Sequence, residues 1–275
     1  MKLNKRLYLY LLLLIVAIAA MVLLRNTLKG PGKPPATPRD YKEIMASGEL
    51  NVVTDYNSIG YYVSGDSALG FQFEMMDALE KEWGIKVHLF LENSLDENLE
   101  GLLYHRYDLV ARNIPVNKQL KDDFSFTDPL VLNKQVLVQR KAAYNDSIPP
   151  IRQQLQLAKS TVHVAKDSPA ILRLKNLSHE IGDTIFIKEN PLYEAEQLVM
   201  MVAAGDIDFT VCDERVARRL SKTLPEIDVE TDISFTQLES WAVRHDSPVL
   251  LDSLNHWLGR FKNTQRFKSI HDRYL

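Results

Sequence analysis

The sequence predicts a two-lobed α/β fold that follows an N-terminal transmembrane helix. Strand and helix patterns alternate over residues 49–111, which is typical of a parallel sheet with helical crossovers. A second alternation of the same kind begins at Ile151. Strand-like segments near Gln135–Gln139 and Glu239–Val243 lie at the junctions between the two units. We therefore expect two strands to cross between two lobes, the first of which is discontinuous in sequence.

The N-terminal segment, residues 1–25, has the pattern of a membrane anchor. Leu7–Leu24 contains 18 apolar or aromatic residues and no charge, and Lys2, Lys5 and Arg6 precede it. This length is at the lower end for a bilayer-spanning helix, and the preceding positive charges favour the cytoplasm, with the rest of the chain outside it. A cleaved signal peptide is the alternative. The Pro- and Gly-rich residues 26–39 are predicted to be a linker.

The first lobe is predicted to comprise residues 40–136 and 239–275. Alternating and β-branched runs predict its strands, and apolar residues at helical spacing predict its helices. The strands are Glu49–Thr54, Ile85–Phe90 and Tyr107–Ala111, and the helices are Gly70–Gly84, Asn93–Tyr104, Ser247–Arg260 and Thr264–Tyr274.

The second lobe is predicted to comprise residues 137–238. The same criteria place strands at Thr161–Ala165, Thr184–Lys188 and Ile207–Cys212, and helices at Ile151–Ala158, Ala170–Leu177, Pro191–Ala204 and Glu214–Leu220.

Composition excludes several functions. The net charge of -3 and a pI near 6.2 give no basic surface, so nucleic acid is not an expected partner. Cys212 is the only cysteine of the sequence, so neither an internal disulfide nor a cysteine-based metal cluster is expected. The histidines are scattered and no Gly-rich phosphate loop occurs, so we expect no metal and no cofactor.

The segment from Tyr107 to Pro129 carries the most informative motif. The strand Tyr107–Ala111, which includes Asp108, is followed by polar residues, a charged turn at Lys118–Asp123, and then Phe126-Thr127-Asp128-Pro129. This order resembles the family 3 periplasmic solute-binding proteins, which bind amino acids. The resemblance extends from about Glu49 to Leu275. Within the family, it is similar to the regulatory, non-catalytic domain of membrane-bound lytic transglycosylases.

The resemblance implies a type II-like periplasmic-binding-protein fold with a ligand cleft between the lobes. It also implies that Asp213 pairs with the α-ammonium group of a ligand. The alternative role of Asp213 is to cap the helix that begins at Glu214. The family's carboxylate-binding arginine would fall at Leu120, which cannot bind a carboxylate. Either Arg112 or Lys118 replaces that arginine, or the ligand is not an ordinary free amino acid.

Further candidate contacts follow the predicted strands. The polar loop from Arg112 to Asn117, which includes Asn113, comes after a strand's carboxyl end, where open α/β sheets bind ligands. The resemblance implies an aromatic contact from Tyr61 or Tyr62 in the loop after the first strand. Ser168 precedes a helix and either caps it or contributes to an anion site there.

The predicted function is that of a membrane-anchored extracytoplasmic solute-binding protein. Its ligand would be small and amine-bearing, either an amino acid derivative or a peptidoglycan-type peptide, and its role sensing or transport. The membrane, through Leu7–Leu24, and a transporter or cell-wall enzyme are the predicted partners. The alternative is a ligand-free regulatory module for a cell-wall enzyme. An enzyme on this fold, with Asp213, Glu239 or His163 as the acid or base, is less favoured, because nothing pairs these residues at a readable spacing.

Overall fold

The computed structural model describes residues 39–275. Its strands, in chain order, are β1 (Glu49–Thr54), β2 (Tyr62–Ser64), β3 (Ser67–Leu69), β4 (Lys86–Leu91), β5 (Leu109–Pro115), β6 (Phe124–Phe126), β7 (Val131–Asn133), β8 (Gln135–Arg140), β9 (Thr161–Ala165), β10 (Phe186–Asn190), β11 (Thr210–Asp213), β12 (Ile227–Asp232) and β13 (Gln237–Arg244). Its α-helices are α1 (Tyr41–Ser47), α2 (Phe71–Trp83), α3 (Leu95–Leu103), α4 (Lys118–Asp123), α5 (Ala170–Ile181), α6 (Ala195–Ala204), α7 (Glu214–Ser221), α8 (Pro248–Phe261) and α9 (Gln265–Tyr274).

The sheet of the first lobe has the order β4-β1-β5-β13-β6, and β7 also pairs with β13. β1 runs parallel to both β4 and β5, and β13 runs antiparallel to β5, β6 and β7. The parallel strands end at the same edge of the sheet. Side chains that follow them are therefore brought together, as in other open α/β sheets.

The sheet of the second lobe has the order β10-β9-β11-β8-β12. β9 is parallel to β10 and β11, whereas β8 is antiparallel to β11 and β12. The chain crosses between the sheets from Asn133 to Gln135 and returns from Asp232 to Gln237.

The core of the first lobe centres on two buried tryptophans. Trp241 of β13 stacks on Trp257 of α8 at a centroid distance of 6.3 Å, and Trp257 stacks on Phe261 at 4.8 Å. Trp241 and Trp257 are fully buried. The indole Nε1 of Trp241 donates to Gln72 Oε1 at 2.8 Å, because a buried indole N–H needs an acceptor. This bond fixes Gln72 between the core and the space that separates the two lobes.

The prediction of a helix at Ile151–Ala158 is wrong. The segment forms only one 3₁₀ turn, at Gln154–Leu157. The amide of Gln139 explains this, since its Oε1 accepts from Ile151 N and its Nε2 donates to Ile151 O, both at 2.8 Å. The Ile151 carbonyl is thereby engaged by a side chain instead of by the amide four residues later, as a helix beginning at Ile151 would require.

The prediction of a loop directly after Ala111 is also wrong. Strand β5 continues to Pro115, because β13 pairs with its second half, Ser240 with Ile114 and Glu239 with Pro115. The predicted charged turn is the short helix α4, and Asn117 Oδ1 caps it by accepting from Leu120 N at 2.9 Å. Arg112 and Asn113 therefore lie on a strand rather than in a loop.

The predicted membrane anchor at Leu7–Leu24 lies outside the described residues, as does the linker up to Pro38. Among residues 39–275, no helix combines the length and the apolar character that crossing a bilayer requires.

Candidate ligand-binding cleft

A cavity of about 220 Å³ lies between the two lobes. Its first wall is formed by residues that follow or end the parallel strands of the first lobe, and its second wall by residues of the second lobe. They include Asp55, Asn93, Arg112 and Asn113 on one side, and Ser168, Glu194, Glu196 and Asp213 on the other. This position, at the carboxyl ends of strands and between lobes, is typical of a small-molecule site.

Arg112 is the cationic side chain of the first wall, and it forms its contacts with residues of its own lobe. Its Nη2 lies 3.3 Å from Asp55 Oδ2, and its Nη1 donates to Asn93 O at 2.9 Å. Both carboxylate and guanidinium are mostly buried, with 20% and 14% of the side chain exposed. The charge of Arg112 is therefore largely matched before any ligand binds.

Asn113 is held by a relay from the core. Its Oδ1 accepts from Gln72 Nε2 at 3.0 Å, and Gln72 Oε1 in turn accepts from the Trp241 indole. The Gln72 amide has a defined partner at each end, so its Nε2 is the atom that meets Asn113 Oδ1 at the cavity wall.

Two carboxyl groups from different lobes, Glu239 buried and Asp213 half-buried, meet at the crossing between the sheets. Glu239 belongs to β13 of the first lobe and Asp213 ends β11 of the second, and both line the cavity. Asn133 Nδ2 donates to Glu239 Oε1 at 3.0 Å and also to Asp213 Oδ2. Asp213 Oδ1 additionally accepts from Arg215 N at 2.7 Å, so Asp213 does cap α7.

Burial raises the pKa of both carboxyl groups. Burial, followed by the charge of Asp213, raises the pKa of Glu239 to about 7. Burial also raises the pKa of Asp213, although the nearby Arg215 and the hydrogen bonds it accepts act in the opposite direction. Within the described residues, no cationic side chain lies at ion-pair distance from either carboxyl group. Desolvation thus explains both shifts, and the like charge of Asp213 adds to the shift of Glu239.

The wall of the second lobe makes direct contacts across the cleft. Glu196 Oε1 accepts from Ser58 N at 2.7 Å, and Asp167 Oδ2 accepts from Ser94 Oγ at 3.3 Å. Asp167 adopts a left-handed backbone conformation, with φ of +58°. Ser168 Oγ accepts from Ala170 N at 3.2 Å, which is a capping role at the start of α5.

Three predicted contacts lie outside the cavity lining. Tyr61 packs edge-on against Phe73 at 5.8 Å, and Asn117 caps α4. Tyr62 accepts a hydrogen bond from Arg219 Nη2 at 3.3 Å. Asp213, Arg112, Asn113 and Ser168 do line the cavity, whereas Leu120 and Lys118 of α4 do not.

Sequence reasoning did not assign Gln72, Asn133 or Glu239 to the ligand site. Glu239 was considered only as an acid or base of an enzyme. These residues are buried polar side chains, with 1%, 3% and 3% of their surface exposed, and such groups need a structural or functional partner. The alternation within QLESWAVR assigns Glu239 to one face of the strand, but it does not indicate that this face borders the cavity.

No group of three or more His, Cys, Asp or Glu side chains within residues 39–275 could hold a metal ion. Cys212 lines the cavity, but burial raises the pKa of its thiol far above the ordinary range. A thiol in such surroundings is a poor nucleophile.

The fold and the cleft are those of a solute-binding protein, and sequence comparison gives the same class. The model of the bacterial extracellular solute-binding proteins, family 3, matches residues 50–275, so the chain belongs to this family. A solved receptor for L-cysteine from Neisseria gonorrhoeae has a TM-score of 0.75 at 19% identity, covering 86% of this chain and 94% of that one. An ancestral arginine-binding protein bound to arginine has a TM-score of 0.72 at 21% identity, covering 83% and 98%.

Curated relatives carry the name membrane-bound lytic murein transglycosylase F. The protein of that name from Desulfosudis oleivorans is 25% identical over 244 residues, covering 86% of this chain and 52% of the relative. The one from Photobacterium profundum is 21% identical over 237 residues, covering 86% and 45%. The chain thus spans about half of the length of these relatives, and the matching part is their solute-binding domain. The resemblance inferred from the sequence is confirmed.

Proposed function

We propose that this chain is a membrane-anchored solute-binding protein of the periplasm that captures a small amine-bearing ligand between its lobes. The observation that carries the proposal is the pair formed by Asp213 and Glu239. The two carboxyl groups come from different lobes, line one cavity and share a single amide donor. An ammonium group would supply the missing positive charge and donors to both lobes at once.

Such a ligand would also stabilise the closed arrangement of the lobes. A molecule that contacts both walls binds the closed state better than an open one, and its differential affinity shifts the population. The contacts from Glu196 to Ser58 and from Asp167 to Ser94 would form part of that closed state. The role is then sensing or transport, with a membrane protein as receiver.

The comparisons support the ligand class. The similar solved structures are named for binding arginine and L-cysteine, which favours an amino acid or a derivative. The relatives' name refers to murein, which favours a peptidoglycan-type peptide as the second candidate. The apolar run Leu7–Leu24 and the basic residues before it support anchoring of the folded part in the periplasm. We assign no catalytic role to the cleft.

A regulatory module for a cell-wall enzyme is the alternative function. It is favoured by Leu120, which stands where the resemblance implies a carboxylate-binding arginine and which lies outside the cavity lining. The relatives also contain about as much additional sequence as this chain, under an enzyme name. In this case the cleft would bind no free solute.

Thermal unfolding of the full chain against amino acids, muropeptides and other small amines tests the proposal. A ligand of the folded state raises the unfolding midpoint with concentration. We expect the Asp213→Asn variant, which keeps an oxygen for the helix cap, to lose this shift. Asp206→Asn, an exposed change outside the cavity, is the matched control and should keep it. A shift that persists in Asp213→Asn, or a flat panel, contradicts the proposal, and the flat panel favours the regulatory alternative.

A further inference from the structure

The charge of the cavity lining is strongly unbalanced. Its carboxylate side chains are Asp55, Asp167, Glu194, Glu196, Asp213 and Glu239, and its cationic side chains are Arg112 and Lys166. Arg112 is paired with Asp55, and Lys166 Nζ lies 3.8 Å from Asp167 with 64% of its side chain in solvent. Among the described residues, the other four carboxylates have no ion-pair partner.

One acceptor of this lining lacks any partner. Glu239 Oε2 is buried and forms no hydrogen bond within residues 39–275, and only 3% of the residue's surface is exposed. The neighbouring Asn133 already donates its Nδ2 to both carboxyl groups. A buried acceptor without a donor is costly, so a donor from a bound molecule would be stabilising.

The cleft offers little to a free carboxylate. The guanidinium of Arg112 is engaged by Asp55 and by Asn93 O, and neither Leu120 nor Lys118 lines the cavity. At the start of α5, Pro169 has no N–H to donate. The unpaired carboxylates would repel an anionic group in a site of low dielectric.

The carboxylates also occur in more than one place along the fold. Asp213 and Glu239 lie at the crossing between the sheets, whereas Glu194 and Glu196 belong to the start of α6. Burial raises the pKa of Glu194, while a hydrogen bond with Asn93 and then the charge of Arg112 act in the opposite direction. A single ammonium group on Asp213 and Glu239 leaves the carboxylates of α6 without a cation at ion-pair distance among the described residues.

We propose that the cleft selects a small aliphatic dication without a free carboxylate, one ammonium binding Asp213 and Glu239 and the other the acidic start of α6. This inference rests on the proposed function and narrows its ligand class. The cavity volume of about 220 Å³ suits a small molecule, since it is below the roughly 300 Å³ at which pockets for larger ligands begin.

Matched ligands separate the contributions of the groups. L-Lysine and 1,5-diaminopentane differ only in the carboxylate, as do L-ornithine and 1,4-diaminobutane, and n-pentylamine lacks the second cation. Isothermal titration of the full chain at pH 8 should show the diamine of at least one pair binding at least about tenfold more tightly than its amino acid, and than n-pentylamine.

Two variants connect the preference to the residues. Glu239→Gln should weaken diamine binding by about tenfold and should reduce the preference for diamine over monoamine, which loss of fold alone would not do. Glu189→Gln, an exposed change on β10 outside the cavity, is the control and should leave the titration unchanged.

The outcomes distinguish the inference from the function on which it rests. Equal or tighter binding of the amino acids overturns the inference and leaves the proposed function standing. The same conclusion follows if only a muropeptide from the thermal panel binds. Failure of the diamines, the amino acids and the whole panel overturns both.

Discussion

Two pairs of charged side chains line the same cavity and differ in how the protein satisfies them. Arg112 and Asp55, both of the first lobe, carry opposite charges 3.3 Å apart. Asp213 and Glu239 come from different lobes, carry the same charge when ionised, and share one amide donor from Asn133. The first pair is complete within the protein, whereas the second is complete only with a proton or a bound cation. The difference indicates which pair supports the fold and which pair receives a ligand.

The largest effect is expected at the complete pair. Arg112→Met removes the cation from the mostly buried Asp55 and a donor from Asn93 O. We expect the free energy of unfolding at pH 7 to fall by about 2–3 kcal/mol, because a carboxylate left without its partner keeps its desolvation cost. Urea unfolding measures this change.

The matched control for that experiment is Arg266→Met. Its guanidinium pairs with Asp77 at 2.7 Å, but the side chain is 44% exposed. Exposed pairs contribute at most about 1 kcal/mol, so the loss should be small. Equal losses in both variants would mean that Arg112 is not a structural cation.

The second prediction is a gain in the free energy of unfolding at high pH, caused by removing the charge of Glu239. The pKa of Glu239 in the folded state is about 7, well above the roughly 4.3 of an unfolded glutamate. The folded state therefore binds more protons between these values, and stability falls as pH rises from about 4 to 7. Glu239→Gln cannot ionise, so we expect it to be more stable than the wild type by about 2 kcal/mol at pH 8 and nearly equal to it at pH 4.

Urea unfolding at the two pH values tests this prediction. The charged groups that act on Glu239 are Asp213, Arg215 and Asp55, so Asp213 is the main contributor of like charge. Glu189→Gln, which removes an exposed carboxylate, should show no difference between the two pH values. A destabilised Glu239→Gln at pH 8 would show that the carboxylate has a cationic partner and that the two pairs are alike.

Much of the fold could be predicted because its signals are local. The order of strands and helices follows from alternation, helical spacing and turn residues over short windows. Asp108 of the family motif proves to be structural. Its carboxylate accepts from Asn51 N at 2.9 Å and lies 3.0 Å from Arg39 Nε and 3.6 Å from Arg244 Nη2. The misassigned helix at Ile151–Ala158 failed because Gln139, a distant residue, determines its backbone.

The residues of the cleft also differ in whether a local sequence signal predicts them. Arg112 was predicted from its place after a strand expected to end at Ala111, and Asp213 from the family resemblance; both line the cavity. Glu239 and Asn133 were not assigned to it, since their proximity depends on the register of β13 with β7 and on the crossing between the sheets. Residues 106 positions apart in sequence form that hydrogen bond, and no local pattern encodes it.

The smallest effect is expected at a contact between the lobes that involves neither pair. Arg219 of α7 lies over the ring of Tyr62 of β2, with Cζ 5.3 Å from the centroid, and its Nη2 donates to Tyr62 Oη. Arg219→Ala should lower the free energy of unfolding by about 0.5–1 kcal/mol, as expected for a partly exposed cation–π contact. Tyr62→Phe keeps the ring and should lose less.

Ligand binding by Arg219→Ala tests which contact holds the lobes together. If Asp213 and Glu239 control closure through a bound cation, Arg219→Ala should weaken ligand binding by no more than about threefold, or roughly 0.7 kcal/mol. Small-angle scattering with saturating ligand should then give the same radius of gyration for the variant and the wild type. A loss of affinity as large as that of Asp213→Asn would instead assign closure to the contact between Tyr62 and Arg219. The unmatched carboxyl pair would then be a consequence of burial rather than the part of the cleft that selects the ligand.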